Sequence, residues 1–335
     1  VGSEMCIRDR GIELQLNAWL IETKDFSLNA TFNIGHNKNK IDKLASGEKE
    51  WILTSAWRND VVNSDDYRAY VGGTSGLIYG YVNDGFYTVA DFESFDSKSR
   101  TWKLKEGVVD SSPLSDTPRP GNAKFKKLTP VDPNSTNPYQ LTEADRTVIG
   151  NTTPKFSGGF GLNATYKGFD MSMFFNFMYD FDVLNANKIM LTTWADNKEN
   201  NFLMDIASDK RWRNFDDMGN EIRYSPEVLA EFNKNATMWN PTSIGRPICM
   251  SYAVEDGSFL RLNSATLGYT LPSVWTKKVG LSKVRFYVSG NNLFTLTGYS
   301  GYDPEVNIAT GLTPNIDYNR YPRSRTYTFG AQLTF

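Results

Sequence analysis

Two pairs of adjacent acids, Asp65-Asp66 and Asp216-Asp217, are the residues whose type comes nearest to hydrolytic chemistry, which needs two carboxylates flanking one bond. Both lie in polar stretches where neighbouring acids are ordinarily solvated, so a hydrolase is set aside. The chain has one histidine, His36, and two cysteines, Cys6 and Cys249. That leaves little scope for histidine acid–base work, zinc binding or a disulfide framework. No glycine-rich phosphate loop follows a strand, and there is neither a nucleophile elbow nor a zincin helix. The expectation is a non-enzyme without cofactor or metal, in which His36 is a solvated rim residue and Cys249 an unpaired loop residue. The sequons at Asn29, Asn151, Asn163 and Asn235 read as chance products of an Asn- and Thr-rich chain.

Aromatic side chains offer a second kind of chemistry, recognition by flat apolar surface. Trp194, Trp212, Tyr224 and Trp239 lie in long polar stretches, where they are expected to contact a ligand or a partner protein. Positioning them requires a scaffold, and composition narrows its type. Of 335 residues, 14% are aromatic, and 36 Lys+Arg oppose 38 Asp+Glu. A net charge of −2 gives no basic footprint for nucleic acid. Mean hydropathy is −0.46, and no apolar run approaches the ~20 residues of a spanning helix. Alternating membrane strands barely register on that scale.

Alternation is the strongest pattern. Phe26, Leu28, Ala30, Phe32 and Ile34 are separated by Ser27, Asn29, Thr31 and Asn33. Tyr327, Phe329, Ala331, Leu333 and Phe335 are separated by Thr328, Gly330, Gln332 and Thr334. Chance would produce about 0.4 perfect nine-residue runs in a chain of this composition. Phe160–Tyr166, Ile12–Leu20 and Phe169–Tyr179 are close relatives, with Trp19, Phe174 and Met178 as breaks. Such segments are about 9–11 residues, the length of a tilted bilayer-crossing strand, whereas soluble strands are most often ~5–6. Their apolar register is uncharged, as lipid contact demands, while Glu13, Gln15, Asn17, Asp170, Asn176 and Gln332 suit a wet lumen.

Connection lengths support the same reading. Lys167-Gly168 and Glu22–Asp25 are short turns, whereas Asp180–Gly257 and Gly298–Arg325 are long and polar. Short turns alternating with long loops are the outer-membrane pattern, turns in the periplasm and loops outside. Tyr166, Phe169, Tyr269, Leu271 and Phe335 would then share one level as a girdle. Within Phe259–Leu271 the apolar parity changes, which predicts a β-bulge near Asn263-Ser264 that keeps Arg261 inward. Ser225-Pro226-Glu227 predicts a short helix over Pro226–Lys234, Phe202–Arg213 is a further helical candidate, and Tyr79, Tyr81, Phe86 and Tyr87 are expected in a hairpin over the rim. Val1–Arg10 neither continues the pattern nor has the apolar core of a signal peptide. It is read as a non-native leader, with the barrel portion at 11–335.

Several motifs together resemble the SusC/RagA-type TonB-dependent transporters of the Bacteroidota outer membrane. They are Asp145-Arg146-Thr147-Val148-Ile149-Gly150-Asn151, then Pro154–Gly159, Tyr166–Asp170 and Gly257–Leu262. Leu267–Pro272, Val288–Phe294, Tyr299–Glu305 (YSGYDPE), Tyr321-Pro322 and the terminal Phe335 complete the series. The resemblance implies an all-β fold, a transmembrane antiparallel barrel of 22 strands, of which this chain would hold roughly eight to ten C-terminal ones. Long extracellular loops would carry short helices, and the piece alone would be an open curved sheet. It further implies localisation in the Gram-negative outer membrane and import of oligosaccharides or peptides. The implied partners are a SusD-like lipoprotein, the TonB complex (through segments not in this chain) and the surrounding lipid. Tyr327, Phe329, Leu333 and Phe335 resemble the signal read by the barrel-assembly machinery. Many relatives of this type carry a calcium-like loop before the Asp-Arg motif. Here only Asp132 and Asp145 remain, so no ion is expected. The alternative is a secreted β-sandwich that binds carbohydrate, with Trp194, Trp212, Tyr224 and Trp239 stacking on sugar rings and the Phe/Leu faces clasped between two sheets.

Overall fold

The computed structural model describes residues 5–58, 61, 65–193, 201–207, 209–305 and 311–335. Among them, seven long strands form one sheet: β1 (Cys6–Glu22), β2 (Phe26–Lys43), β3 (Phe156–Tyr166), β4 (Phe169–Tyr179), β5 (Phe259–Thr270), β6 (Lys283–Thr297) and β7 (Thr326–Thr334). Each pairs antiparallel with its neighbours in this order, and β1 and β7 are unjoined edges. The sheet is therefore open. Eleven residues, as in β3, rise about 36 Å, and at a tilt near 45° they cover about 25 Å, the height of an outer-membrane apolar band.

Register joins the separate alternations into one face. Phe26, Tyr166, Phe169, Tyr269 and Phe286 occupy one cross-strand row, and Phe32, Phe160, Phe175 and Leu262 another. Phe160 stacks on Phe175 with ring centroids 4.5 Å apart. The first row is the expected aromatic girdle with Phe26 and Phe286 added; Leu271 and Phe335 fall outside it. The predicted bulge is present: pairing steps from Leu262 to Ser264 against both β4 and β6, so the apolar face continues and Arg261 stays on the other side. Among the described residues no second sheet covers this face. Leu16, Leu267, Phe286 and Phe329 are all exposed on it, which is incompatible with the clasped faces of a sandwich.

The three short connections lie at one end. Thr23 closes the first through its N–H and hydroxyl, both donating to the Phe26 carbonyl. Lys167-Gly168 form the second with φ of 44° and 91°, the left-handed pair that matches hairpin twist. At the opposite end the three long connections pack on one another. Trp57, Tyr67 and Ile78 from the first, Leu184, Ile189 and Cys249 from the second, and Ile316 from the third share one buried cluster.

Some local expectations change. The Tyr79–Tyr87 segment is not a hairpin. Leu77–Gly80 pairs with Thr147–Asn151 and Tyr67–Tyr70, whereas Asn83–Phe86 pairs with Ala123–Phe125. Tyr79, Tyr81 and Tyr87 are buried there, because the other loops give their rings a better apolar surface than the rim. The helix expected at Pro226–Lys234 forms as Pro226–Phe232, while only Met204–Ile206 turns helically within 202–213. Strand β1 begins at Cys6 rather than Gly11, because Ile7–Arg10 finds an open edge opposite Lys38–Ile41. The sheet has seven long strands, fewer than eight to ten; the other strands are short and belong to the loop body.

A polar sheet face beneath a packed loop cap

On the face opposite the apolar one, polar side chains bridge neighbouring strands. Asn29 Nδ2 donates to Asn17 Oδ1 at 2.8 Å, and the hydroxyls of Ser27 and Thr165 lie 2.6 Å apart. Asp170 on β4 accepts from Arg285 Nε (2.9 Å) and Nη2 (2.5 Å) on β6. The guanidinium crosses β5 at Gly268, where an added Cβ would lie 2.4 Å from Arg285 Nη2. The glycine thus provides the passage for a charge pair spanning three strands. In the intact protein, Gly268→Val is expected to unseat Arg285, and because only the flexible end of that side chain must move, the cost is that of the lost pair, at most about 1 kcal/mol. Asp170→Asn keeps the packing and, at a part-exposed pair, costs at most about 1 kcal/mol. Thermal unfolding in detergent checks this: both variants should show a similar small loss, and a loss of several kcal/mol from Gly268→Val would contradict it.

Above this face, Arg261 ties the wall to the third long loop. It is only 2% exposed, yet its Nη2 lies 2.5 Å from Asp303 Oδ1 and 3.1 Å from Glu305, with Nη1 3.3 Å from Asp303 Oδ2. Arg323, just before β7, stands 3.3 Å from Glu305 and 3.8 Å from Asp303. Two motifs that are separate in sequence, Gly257–Leu262 and Tyr299–Glu305, are therefore the two halves of one buried ion cluster. Within the same loop, Tyr299 donates to Asp317 Oδ2 at 2.7 Å. Burial and the adjacent Asp317 carboxylate push the Tyr299 phenol upward, keeping it a donor. Glu255 accepts from Ser300 N (3.0 Å), Ser300 Oγ (2.8 Å) and Asn185 Nδ2 (2.9 Å).

The Asp-Arg motif organises the first long loop. Asp145 is fully buried and accepts from Leu128 N (2.8 Å), Thr129 N (2.7 Å), Thr129 Oγ1 (2.7 Å) and Thr142 N (2.8 Å), with Lys127 Nζ at 3.4 Å. Burial pushes its carboxyl upward, but the Thr129 hydroxyl and the backbone donors prevail and hold it well below the usual carboxylate range. Both oxygens face donors and a cation, and the exposed Asp132 carboxylate accepts from Asn134 N within its own turn. The pair does not have the chemistry of a calcium site. Arg146 lies over the Tyr79 ring at 4.5 Å and donates to the Asp65 carbonyl.

The residues singled out in the sequence fall as follows. Trp212 and Trp239 are each 2% exposed; Trp212 packs edge-on to Phe86 at 5.7 Å, and Trp239 to Tyr252 at 4.8 Å. Tyr224 stacks on Phe95 at 6.1 Å and carries Arg100 at 4.7 Å. These three build the loop body, with Trp212 and Tyr224 bordering clefts in it. Trp194 lies outside the described residues. Tyr327, Phe329, Leu333 and Phe335 are exposed, with Phe329 81% and Phe335 90% exposed, and the first three share the apolar face of β7. His36 is not simply solvated: its Nδ1 lies 2.6 Å from the Lys155 carbonyl and its ring 5.3 Å from Phe156. Cys249 is buried in the shared loop cluster, where burial pushes its thiol upward. Asp66 is buried on Ser55, and Asp217 pairs with Arg213, so each acid already has a structural partner. Sequence reasoning placed Arg261 inward but missed its partners, Asp303 and Glu305. The signal available was one buried-side cation in β5 and an acid pair in a loop.

Comparison with known proteins agrees with this architecture. TonB-dependent receptor P3 of Formosa agariphila is 31% identical over 335 residues, covering 98% of this chain and 29% of that protein. TonB-dependent receptor SusC of Bacteroides thetaiotaomicron is 25% identical, covering 98% of this chain and 26% of its own length. The chain thus spans less than a third of these relatives. Among solved structures, the RagAB peptide transporter superposes with a TM-score of 0.63 at 21% identity, covering 98% of this chain and 29% of that one. The RagAB peptide importer in the 'closed-closed' state gives 0.65 at 22%. At these identities the structural matches establish the fold. No protein-family model matches the chain.

Proposed function

Because the chain is homologous along nearly its whole length to TonB-dependent receptors, SusC among them, we propose that it is the C-terminal wall of an outer-membrane nutrient importer. Its polar face borders the passage, and its loop cap faces outward toward a SusD-like lipoprotein. Oligosaccharides or peptides pass through without bond chemistry. Energy arrives through the TonB complex, which contacts parts of the receptor other than this chain. The observation that carries this reading is the single apolar face running across seven strands, uncharged over Ile12–Leu20 and Phe26–Ile34 with Arg and Lys only at its loop end, and left exposed. Water tolerates such an area poorly, whereas hydrocarbon matches it. The missing strands of the full barrel would pair the edges of β1 and β7, since unpaired backbone groups in lipid cost several kcal/mol each. Tyr327, Phe329, Leu333 and Phe335 then present the signal for the barrel-assembly machinery.

A face-specific substitution in the full-length receptor tests the reading. Ala265→Arg places a charge at mid-strand on the apolar face and should cost about 2–4 kcal/mol of membrane stability. Thr266→Arg, one residue away on the polar face, should be nearly silent. Membrane fractionation and the fraction of folded barrel on unheated gels read the difference. Equal tolerance of both, or a protein soluble without detergent, contradicts the proposal.

A further inference from the structure

Two adjoining clefts, of about 210 and 530 Å³, open in the loop cap and share Asn214 and Arg223 in their walls. The larger also holds Arg211, Trp212, Arg213, Phe215 and Asp216, whose carboxylate accepts from Asn220 N and Nδ2. Arg213 is neutralised by exposed Asp217 at 2.7 Å, and Arg223 by Glu221 at 2.5 Å. Arg211 differs. It is partly buried, its Nη1 donates to the Ile206 carbonyl at 3.0 Å, and no carboxylate among the described residues lies within ion-pair distance. Burial and the like charge of Arg213 both depress its pKa, the direction expected of a cation short of an anion. The indole N–H of Trp212, buried and without an acceptor among the described residues, belongs to the same wall.

We propose that this cleft receives the carboxylate of an acidic peptide, with Arg211 as the principal fork and Arg213 beside it. The inference rests on the importer reading and adds a substrate chemistry to it. A guanidinium presents paired N–H donors that match both oxygens of a carboxylate. A peptide is favoured over a sugar because most of the rings here are already covered. Tyr224 stacks on Phe95 and carries Arg100, Trp212 packs on Phe86, and Phe215, though 46% exposed, has Arg223 over its ring at 5.4 Å. A sugar ring would need an open aromatic face, whereas peptide groups can pair with the carboxamides of Asn214 and Asn240 in the cleft wall.

Calorimetric titration of the full-length receptor in detergent tests this without depending on transport. The probes are an Asp/Glu-containing tetrapeptide, its Asn/Gln counterpart and an oligogalacturonate. The acidic peptide should bind at least about tenfold more tightly than the amide peptide, and more weakly as salt rises. Arg211→Gln should remove roughly that factor and leave the amide peptide unchanged. Asp217→Asn, which frees Arg213, should tighten acidic-peptide binding several-fold, a gain that misfolding cannot produce. No binding of the acidic peptide, unchanged binding in Arg211→Gln, or tighter binding of the oligogalacturonate each overturns the proposal. Failure of the importer reading itself would appear separately, in fractionation.

Discussion

Arg261→Ala in the full-length receptor is expected to release the third long loop from the barrel wall. The substitution strands Asp303 and Glu305, both mostly buried, with only the half-exposed Arg323 nearby at 3.3–3.8 Å. Breaking a buried pair by removing one partner costs about 3–5 kcal/mol, chiefly because the remaining charge is left desolvated. Local opening of the loop should therefore become about two to nearly four orders of magnitude more frequent. Hydrogen exchange, or protease nicking within Gly298–Arg325, measures this directly. Asp303→Leu combined with Arg261→Met removes both charges and should recover most of the protection. If the single and double variants open equally, the ion cluster is not what holds the loop.

Asp145→Ala should be comparably severe in the first long loop. It leaves the N–H groups of Leu128, Thr129 and Thr142 without their acceptor and removes the countercharge of the Lys127 ammonium, which keeps Thr129 Oγ1 and the Gln140 carbonyl. Each orphaned buried donor costs about 1–3 kcal/mol, so a total of about 3–5 kcal/mol is expected after partial relaxation. The same carboxylate gives a pH signature. Its folded pKa lies below the unfolded value near ~3.9, so its contribution is complete above that value. As pH falls through ~4 toward the folded pKa, the contribution is lost. Exchange protection of the 128–142 segment should decline over that range in the native protein, and Asp145→Asn should flatten the dependence. A decline of equal size in Asp145→Asn would assign the effect to other carboxylates.

Both expectations concern contacts that no local pattern announces. Arg261 and Asp303 are 42 positions apart, and Lys127 and Asp145 are joined only after the intervening loop has folded back. The bulge after Leu262 was readable because a change of parity within one strand must be absorbed by an extra residue. The Lys167-Gly168 hairpin was readable because two residues between alternating runs leave few turn geometries. The Tyr79–Tyr87 segment misled for the complementary reason: clustered aromatics signal burial, but the surface that buries them comes from distant loops. Trp212 and Trp239 show the same limit, as a loop tryptophan looks alike in sequence whether it meets a ligand or Phe86 and Tyr252.

Alternation with period two, segment length and the placement of short connections are local properties, and they alone specified long antiparallel strands with one apolar and one polar side. Whether that apolar side met a second sheet or remained uncovered depended on where the long connections folded. Only the tertiary arrangement answered it, by gathering all three into a body at one end of the strands. The pairing of Arg261 with the YSGYDPE acids and the countercharge-poor position of Arg211 were decided there as well. Charges become partners when chain folding removes the water between them, and no spacing along the backbone encodes that distance.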